Sequence, residues 1–308
     1  MKYPTIDQYL SQLSHPNRQE GGIRTLDAFK AQPDEGVPLV SVITVVFNGE
    51  ATIEQTIKSV LAQSYSNIEY IVIDGGSTDG TLDIIRKYEN NISYWISEPD
   101  KGIYDAMNKG VSLSTGKIVV LLNADDYYSS NNSISLLMNS VFSYANIIYY
   151  GDAIIQYDDL GIESLKKGLL DLTKGMTLTH QSMFVCKDVY EKNGLYSTNY
   201  KYAADFEFAL RMYLLGIPYV YLPHPLVNFR YGSSSDKYFH KSYTEVFLII
   251  YKGRGFIYSM RYAVVFLKSI CLRLVHQAIK KVFGESAYLW CKKRYLVWRG
   301  NISRVLYN

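Results

Sequence analysis

Two adjacent carboxylates directly follow an unbroken apolar run. Residues 118 to 122 are all apolar, and the chain then reads Asn123-Ala124-Asp125-Asp126. Such a run predicts a strand covered on both faces, and two charges at its end repel each other where water is scarce. A hard cation, Mn²⁺ or Mg²⁺ shared with a diphosphate, would relieve that repulsion. In an extended backbone Asp125 and Asn123 point to one side and Asp126 to the other, so we predict Asp125 as the ligand.

The same pair has a purely structural interpretation, because Asp residues after a strand often cap the next helix or form a turn. A second candidate, Asp74, ends another apolar run and precedes Gly75-Gly76-Ser77-Thr78-Asp79-Gly80-Thr81. A carboxylate at the end of a strand can accept hydrogen bonds from a base or ribose. We assign Asp79 to helix capping and Asp74 to a ligand.

Other polar residues stand where a ligand could contact them. Lys101 follows a Pro99-Asp100 turn, and Asp105 lies early in the next predicted helix, although an ordinary surface pair with Asn108 would look the same. His180-Gln181 precedes an apolar run, where a histidine is more often a hydrogen-bonded core residue. Asp205 lies near the start of a predicted helix, where the helix dipole alone favours a carboxylate.

Alternating strand and helix patterns position these residues. Apolar runs predict strands at 39–47, 68–73, 93–96 and 118–122, and shorter strands at 147–157, 168–178, 219–222 and 226–229. Helical spacing is found at 51–63, 79–88, 104–113, 133–144 and 202–214. This order is typical of an α/β fold with a mostly parallel central sheet flanked by helices. Three domains are predicted: an extension at 1–37, a catalytic domain at 38–236 and a basic tail at 237–308.

Taken in order, these motifs resemble those of the family 2 glycosyltransferases, which have the GT-A fold. The resemblance covers about residues 38 to 231 and depends on five segments: 40–48, 73–81, 100–110, 122–126 and 205–208. It implies a nucleotide-diphosphate sugar donor, most simply a UDP-sugar, and a saccharide acceptor. It also implies inversion at the anomeric carbon and a bacterial surface-polysaccharide pathway, such as O-antigen, capsule or exopolysaccharide synthesis.

The resemblance also implies roles for single residues. Asp205 matches the general base, and Asp125 matches the ligand of the metal on the diphosphate. His180 and Gln181 occupy a place used for substrate in polysaccharide-building members, and Asp126 is grouped with them as an acceptor or phosphate contact. The donor site would be lined by Thr44, Val46, Phe47, Asn48, Asp74, Lys101, Asp105, Asn123 and Ala124.

Two positions depart from the family pattern. Asn123 replaces the usual first acidic residue of the metal motif, and Gly75 replaces an acidic residue that often follows Asp74. A catalytically inactive sugar-nucleotide-binding or scaffolding subunit of the same fold is therefore the alternative to an enzyme.

The tail differs in charge from the rest of the chain. Residues 237–308 contain 14 Lys and Arg and two acidic residues, a net charge of +12, and the total of +3 leaves −9 for residues 1–236. Apolar residues recur at helical spacing beside basic ones, which is typical of an amphipathic helix at an anionic membrane surface. The apolar members are Ile257, Met260, Val264, Leu267, Cys271, Leu274 and Ala278.

Packing of this stripe on the catalytic domain or on a second subunit is the other interpretation. A polyprenyl-diphosphate-linked acceptor would explain a membrane-binding tail. Three scattered cysteines and the absence of a long apolar run predict a cytoplasmic protein, peripheral at the inner face of the cell membrane. No nucleic-acid-reading motif accompanies the basic residues, so we expect no nucleic-acid partner.

Overall fold

The computed structural model describes residues 3–12, 15–26, 37–172, 175–232, 238–298 and 304–305. Within them one mixed sheet is flanked by helices, which confirms the predicted α/β class. The strands are β1 Gln19–Gly21, β2 Val40–Val46, β3 Ile68–Asp74, β4 Tyr94–Ser97, β5 Ile118–Asn123, β6 Tyr127–Tyr128, β7 Ile148–Tyr157, β8 Ile162–Lys166, β9 Met183–Cys186, β10 Tyr219–Arg230 and β11 Arg304–Val305. The helices are α1 Ile6–Gln12, α2 Ile53–Leu61, α3 Thr81–Lys87, α4 Ile103–Leu113, α5 Ser133–Met138, α6 Lys187–Asn193, α7 Ala204–Leu214, α8 Phe239–Arg254 and α9 Phe256–Trp298.

The sheet has a parallel half and a mixed half. Its order is β1-β4-β3-β2-β5-β9-β7-β10-β6, with β8 on β7 and β11 on β8. Pairing is parallel from β4 through β3 and β2 to β5, and between β7 and β10; the other pairs are antiparallel. All seven residues of β2 are buried, as its unbroken apolar sequence predicts. The carboxyl ends of β2 and β5 therefore open side by side at one edge.

Two strand predictions in the mixed half were wrong. Residues 168–178 contain no strand in their described part; the strand is Ile162–Lys166, which forms an antiparallel hairpin with β7 around Gly161. The predicted strands 219–222 and 226–229 are one continuous strand, β10, with a register shift at Pro225. Proline has no amide hydrogen to donate, so the pairing shifts there without ending the strand.

The N-terminal extension packs on the catalytic domain. Strand β1 pairs with β4 and forms the edge of the sheet, and the Tyr9 hydroxyl on α1 donates to Asp105 Oδ1 on α4 at 3.0 Å. Arg18 forms an ion pair with Glu98 at 2.8 Å. These contacts fix the start of α4, which lies against the candidate site.

The described part of the tail has two helices, which differ in burial, and the short strand β11; the second helix is interrupted at Gly284, whose φ is 83°. α8 buries Val246, Ile249 and Ile250 in the main core, and α9 packs on α8 through Tyr262. The predicted boundary at residue 236 lies outside the described residues. No single described helix is both long and apolar enough to span a bilayer, although Phe256–Val275 and Gln277–Tyr295, which meet at a 49° bend, pass that test as a pair.

Candidate active site

A cleft of about 770 Å³ opens where the carboxyl ends of β2 and β5 meet the first turns of α4 and α7. This volume suits a ligand the size of a nucleotide sugar. The cleft is lined by residues from distant parts of the chain, which lie at the ends of strands, in the first turns of helices and in loops. Of the residues predicted from sequence, the cleft is lined by Val46, Phe47, Asn48, Lys101, Asp105, Asn123, Ala124, Asp125, His180, Gln181 and Asp205.

The two carboxylates after β5 have different environments. Asp126 is fully buried, and it accepts hydrogen bonds from Gln181 Nε2 at 2.6 Å and from the Arg230 amide at 3.1 Å. Burial, followed by the neighbouring charge of Asp125, raises the pKa of Asp126 well above its usual range. Asp125 lines the cleft instead, and burial raises its pKa as well. Asp126 therefore anchors the loop, whereas Asp125 lines the cleft.

Three buried polar atoms on the cleft-lining residues have no hydrogen-bond partner. They are Asn123 Oδ1, His180 Nε2 and Gln181 Oε1. A buried polar atom without a partner costs about 1–3 kcal/mol, so a ligand that satisfied all three would bind favourably. These oxygen and nitrogen atoms, together with the Asp125 carboxylate, fit a divalent cation or the groups around one.

No cluster of three or more His, Cys, Asp and Glu residues that could hold a metal occurs in the described part of the chain. A cation here would need ligand atoms from a second source. A diphosphate is one such source, and Mg²⁺ commonly shares its coordination sphere with phosphates and water.

Asp205 lies between a histidine and a tyrosine. Its Oδ2 is 3.3 Å from His180 Nδ1, and its Oδ1 accepts a 2.9 Å hydrogen bond from the Tyr104 hydroxyl. Burial raises the pKa of Asp205, but hydrogen bonds from His180 and Tyr104 outweigh it, and the pKa is below the usual value. Asp205 is therefore an ionised carboxylate at neutral pH that could accept a proton.

Three of the predicted site residues do not line the cleft. Thr44 is fully buried and accepts a hydrogen bond from the Tyr70 hydroxyl at 3.1 Å. Asp74 is also fully buried, and its carboxylate accepts hydrogen bonds from the Ser77 amide at 3.0 Å and from the hydroxyls of Ser77 and Ser97. Asp126 is the third, as described above. The side chains of these three residues are buried in the protein interior and do not line the cleft.

Asp105 lines the cleft, but its oxygens already have partners. Oδ1 accepts from the Tyr9 hydroxyl, and Oδ2 accepts from the Lys101 amide at 3.1 Å. Asp105 thereby holds the turn that carries Lys101, and this turn enters α4 through Gly102, whose φ of 115° is typical of glycine.

The turn after β2 is rigid. Asn48 adopts a left-handed φ of 51°, and its Oδ1 accepts a 2.9 Å hydrogen bond from the Thr78 amide. Asp79 accepts hydrogen bonds from the amides of Glu50 at 3.1 Å and Thr81 at 3.0 Å, which agrees with its assignment to capping. The two turns that begin α2 and α3 thus form one bonded unit at the edge of the cleft.

Comparison with known proteins places the chain in a family. Residues 41–191 match the model described as glycosyl transferase family 2. An uncharacterised glycosyltransferase of Mycobacterium tuberculosis is 34% identical over 189 residues, which cover 59% of this chain and 71% of the relative. The chain belongs to glycosyltransferase family 2. A second relative, a PGL/p-HBAD biosynthesis glycosyltransferase of Mycobacterium bovis, is 28% identical and matches over 57% of this chain and 70% of its own.

Two solved structures share the fold of this family 2 glycosyltransferase. Staphylococcus aureus TarS 1–349 in complex with UDP-GlcNAc superposes with a TM-score of 0.52 at 18% identity, covering 70% of this chain and 67% of its own. The mannosyltransferase PcManGT from Pyrobaculum calidifontis, in complex with GDP-Man and Mn²⁺, has a TM-score of 0.55 at 16% identity and covers 86% and 88%. They confirm the predicted GT-A fold.

Several cleft residues of this glycosyltransferase were missed from sequence. Tyr104 was assigned only to a helix, and Asp100 only to a turn. Six further residues that line the cleft were not predicted either: Thr198, Tyr200, Lys201, Tyr202, Phe229 and Tyr238. Tyrosines are so frequent in this chain, 29 of 308 residues, that neither their number nor their spacing distinguishes these positions.

Replacing Tyr104 by Phe is expected to make glycosyl transfer more sensitive to acid. The hydroxyl stabilises the ionised form of Asp205, so its loss raises the pKa of Asp205. A group that works when deprotonated then loses its function at a higher pH. The acid limb of kcat/KM against pH should move upward in Tyr104→Phe, whereas Tyr88→Phe, which alters a tyrosine directly after α3 that does not line the cleft, should leave it in place. An unmoved limb in Tyr104→Phe would contradict this role of Tyr104.

Proposed function

We propose that this protein is an inverting glycosyltransferase that transfers a sugar from a UDP-sugar to a hydroxyl of a saccharide acceptor. The observation that carries the proposal is that two carboxylates line one cleft together with three unpartnered polar atoms: Asp205, which is held by His180 and Tyr104, and Asp125. One can accept a proton while the other faces the diphosphate. The solved structures of TarS and PcManGT hold nucleotide sugars, which supports a nucleotide sugar as the donor of this protein.

In this proposal the Asp205 carboxylate acts as the general base. It would take the proton from the acceptor hydroxyl as that oxygen attacks the anomeric carbon and the bond from that carbon to the diphosphate breaks. A single displacement of this kind inverts the anomeric configuration. Hydrogen bonds from His180 and Tyr104 hold the carboxylate in one orientation, which reduces the entropy lost on reaching the transition state.

Asp125 would hold a divalent cation, with Asn123, His180 and Gln181 able to supply further contacts to the cation or to the diphosphate. When bound, Mn²⁺ or Mg²⁺ would offset the negative charge that develops on the leaving diphosphate. Gln181 is kept in position by its hydrogen bond to Asp126.

The test of donor class is release of nucleoside diphosphate from UDP-, GDP- and dTDP-sugars with Mn²⁺ or Mg²⁺, in the presence of a lipid-linked saccharide fraction. Turnover of a UDP-sugar, with inversion at the product's anomeric carbon, supports the proposal. Tight binding of a donor without any turnover would favour the alternative, a catalytically inactive binding or scaffolding subunit in which Asn123 fails to complete the metal site.

We also propose that α9 lies on the anionic inner face of the cell membrane and brings the cleft to a polyprenyl-diphosphate-linked acceptor of surface-polysaccharide synthesis. The predicted apolar stripe is exposed along its whole length, with Ile257 69%, Leu267 59% and Leu274 58% exposed. Arg261 and Lys268 are exposed on the same helix. Exposed apolar side chains beside cations suit a bilayer interface. Lys292 is unavailable to lipid, since it is buried and paired with Asp159 at 2.8 Å.

Leu267→Glu/Leu274→Glu is expected to abolish flotation with liposomes that contain anionic lipid. The two substitutions place charges in the exposed stripe, and since both side chains are exposed the free energy of unfolding should change little. Deletion of the tail would be a poorer test, because α8 contributes Val246, Ile249 and Ile250 to the core.

The matched control is Leu169→Glu/Leu215→Glu, which replaces two leucines that are equally exposed elsewhere, at 62% and 57%. It should float like the wild type. Equal flotation of both double variants would contradict membrane binding by α9, and dimerisation lost only in Leu267→Glu/Leu274→Glu would assign the stripe to a second subunit.

A further inference from the structure

Asp100, at the rim of the cleft, has an environment that sequence did not indicate. It follows β4 in the turn that leads to α4, and it lines the cleft together with Phe47 and Lys101. Its Oδ1 accepts a 2.7 Å hydrogen bond from the Gly102 amide. Among the described residues, no group donates a hydrogen bond to its Oδ2. The Asp100 side chain is thus held through Oδ1, and Oδ2 is available to accept a hydrogen bond from a ligand.

Gly75 allows the Asp100 side chain to take this position. A Cβ on Gly75 would lie 3.1 Å from Asp100 Cγ and closer still to Oδ2, so any larger residue would overlap the Asp100 carboxylate. The Asp100 carboxylate therefore occupies the space that a side chain at position 75 would fill. A carboxylate from another loop therefore lies beside position 75, where the family pattern has an acidic residue.

The neighbouring carboxylate, Asp74, is not free to bind a ligand. It is fully buried behind the wall, where Ser77 and Ser97 donate to it. Asp100 is the carboxylate that lines the cleft beside the bonded turn of Asn48 and Phe47. Phe47 is 63% exposed at the same rim, which is the kind of surface on which a nucleobase stacks.

We infer that Asp100 recognises the nucleobase of the donor, with its Oδ2 accepting a hydrogen bond from a ring N–H group. This inference rests on the proposed function and adds a residue that determines its specificity. Uracil has N3–H and guanine has N1–H at this edge, whereas the corresponding nitrogen of cytosine is an acceptor. A carboxylate therefore selects uracil or guanine and rejects cytosine. Burial raises the pKa of Asp100, as expected for a carboxylate that lacks donors until a ligand supplies one.

The test is calorimetric binding of UDP, GDP and CDP with Mn²⁺ to the full chain. Wild type should bind UDP or GDP and prefer it to CDP. Asp100→Asn should weaken binding of the preferred nucleotide by about ten- to hundredfold and reduce or reverse its preference over CDP, because an amide can donate to cytosine N3. Asp83→Asn, which alters an exposed carboxylate on α3, is the control for folding and charge.

A double variant separates the loss of the carboxylate from a general loss of folded structure. Gly75→Asp alone should bind poorly, since its side chain overlaps Asp100. Gly75→Asp/Asp100→Gly returns one carboxylate to the same place and should recover preference for UDP or GDP. Binding by Asp100→Asn with unchanged affinity and base preference would overturn the role of Asp100 and leave the proposed function intact. Failure of the wild type to bind any of the nucleotides would overturn both.

Discussion

Asp205→Asn is expected to lower the rate of glycosyl transfer by about a hundred- to ten-thousandfold, the usual contribution of general base catalysis. The amide is nearly isosteric but does not accept the acceptor's proton. Donor binding should change little, because the proposed role of Asp205 is to contact the acceptor hydroxyl. Single-turnover transfer, measured beside calorimetric binding of the nucleotide, separates the two effects.

Two comparisons make this result specific. Asp83→Asn removes a carboxylate that is 84% exposed, and it should retain full activity. His180→Gln should lower activity less than Asp205→Asn if His180 positions the carboxylate, because Tyr104 still holds Oδ1. If Asp205→Asn kept more than a tenth of wild-type activity, another group would have to be the base.

Asp125→Asn is expected to abolish the dependence of nucleotide binding on Mn²⁺ and to lower transfer by about a thousandfold, since a metal contributes several kcal/mol to the stabilisation of a developing diphosphate. Of the two carboxylates after β5, Asp125 is the one that lines the cleft, so its loss would leave a cation with no charged ligand from the protein at this position. The measurement is the affinity for UDP as a function of Mn²⁺ concentration. An unchanged Mn²⁺ dependence would assign the cation to another residue.

Asp126 provides the contrast to Asp125. Its carboxylate is buried and accepts hydrogen bonds from Gln181 and Arg230, so Asp126→Asn would place an amide donor against these donors. We expect a loss of about 1–3 kcal/mol in the free energy of unfolding for Asp126→Asn, and almost none for Asp125→Asn. Thermal unfolding of the two variants distinguishes a loop anchor from a ligand.

The prediction for Asp125 and Asp126 assumed an extended backbone after β5, but the chain turns there, and the Asp126 amide donates to the Asn123 carbonyl at 3.1 Å. The two carboxylates differ because Gln181 and Arg230 donate to Asp126 in the interior, which alternation along a strand does not explain. The four strands of the parallel half, β2 to β5, and the three helices between them were predicted because buried strands are apolar runs and helices repeat at a different period. Strand β8 was predicted wrongly because short edge hairpins have mixed polarity and a weak pattern.

Sequence by itself determined the fold class, the family, and eleven of the residues that line the cleft, since these follow from local periodicity and ordered motifs. Tertiary structure decided which carboxylates have free oxygens. The Asp74 carboxylate is buried and accepts hydrogen bonds from Ser77 and Ser97, so it does not line the cleft as predicted. Tyr104 and His180 contact the Asp205 carboxylate. The Asp100 carboxylate packs against Gly75. The physical reason is that hydrogen bonds and steric overlap between distant segments depend on how strands and loops pack, which no local pattern encodes.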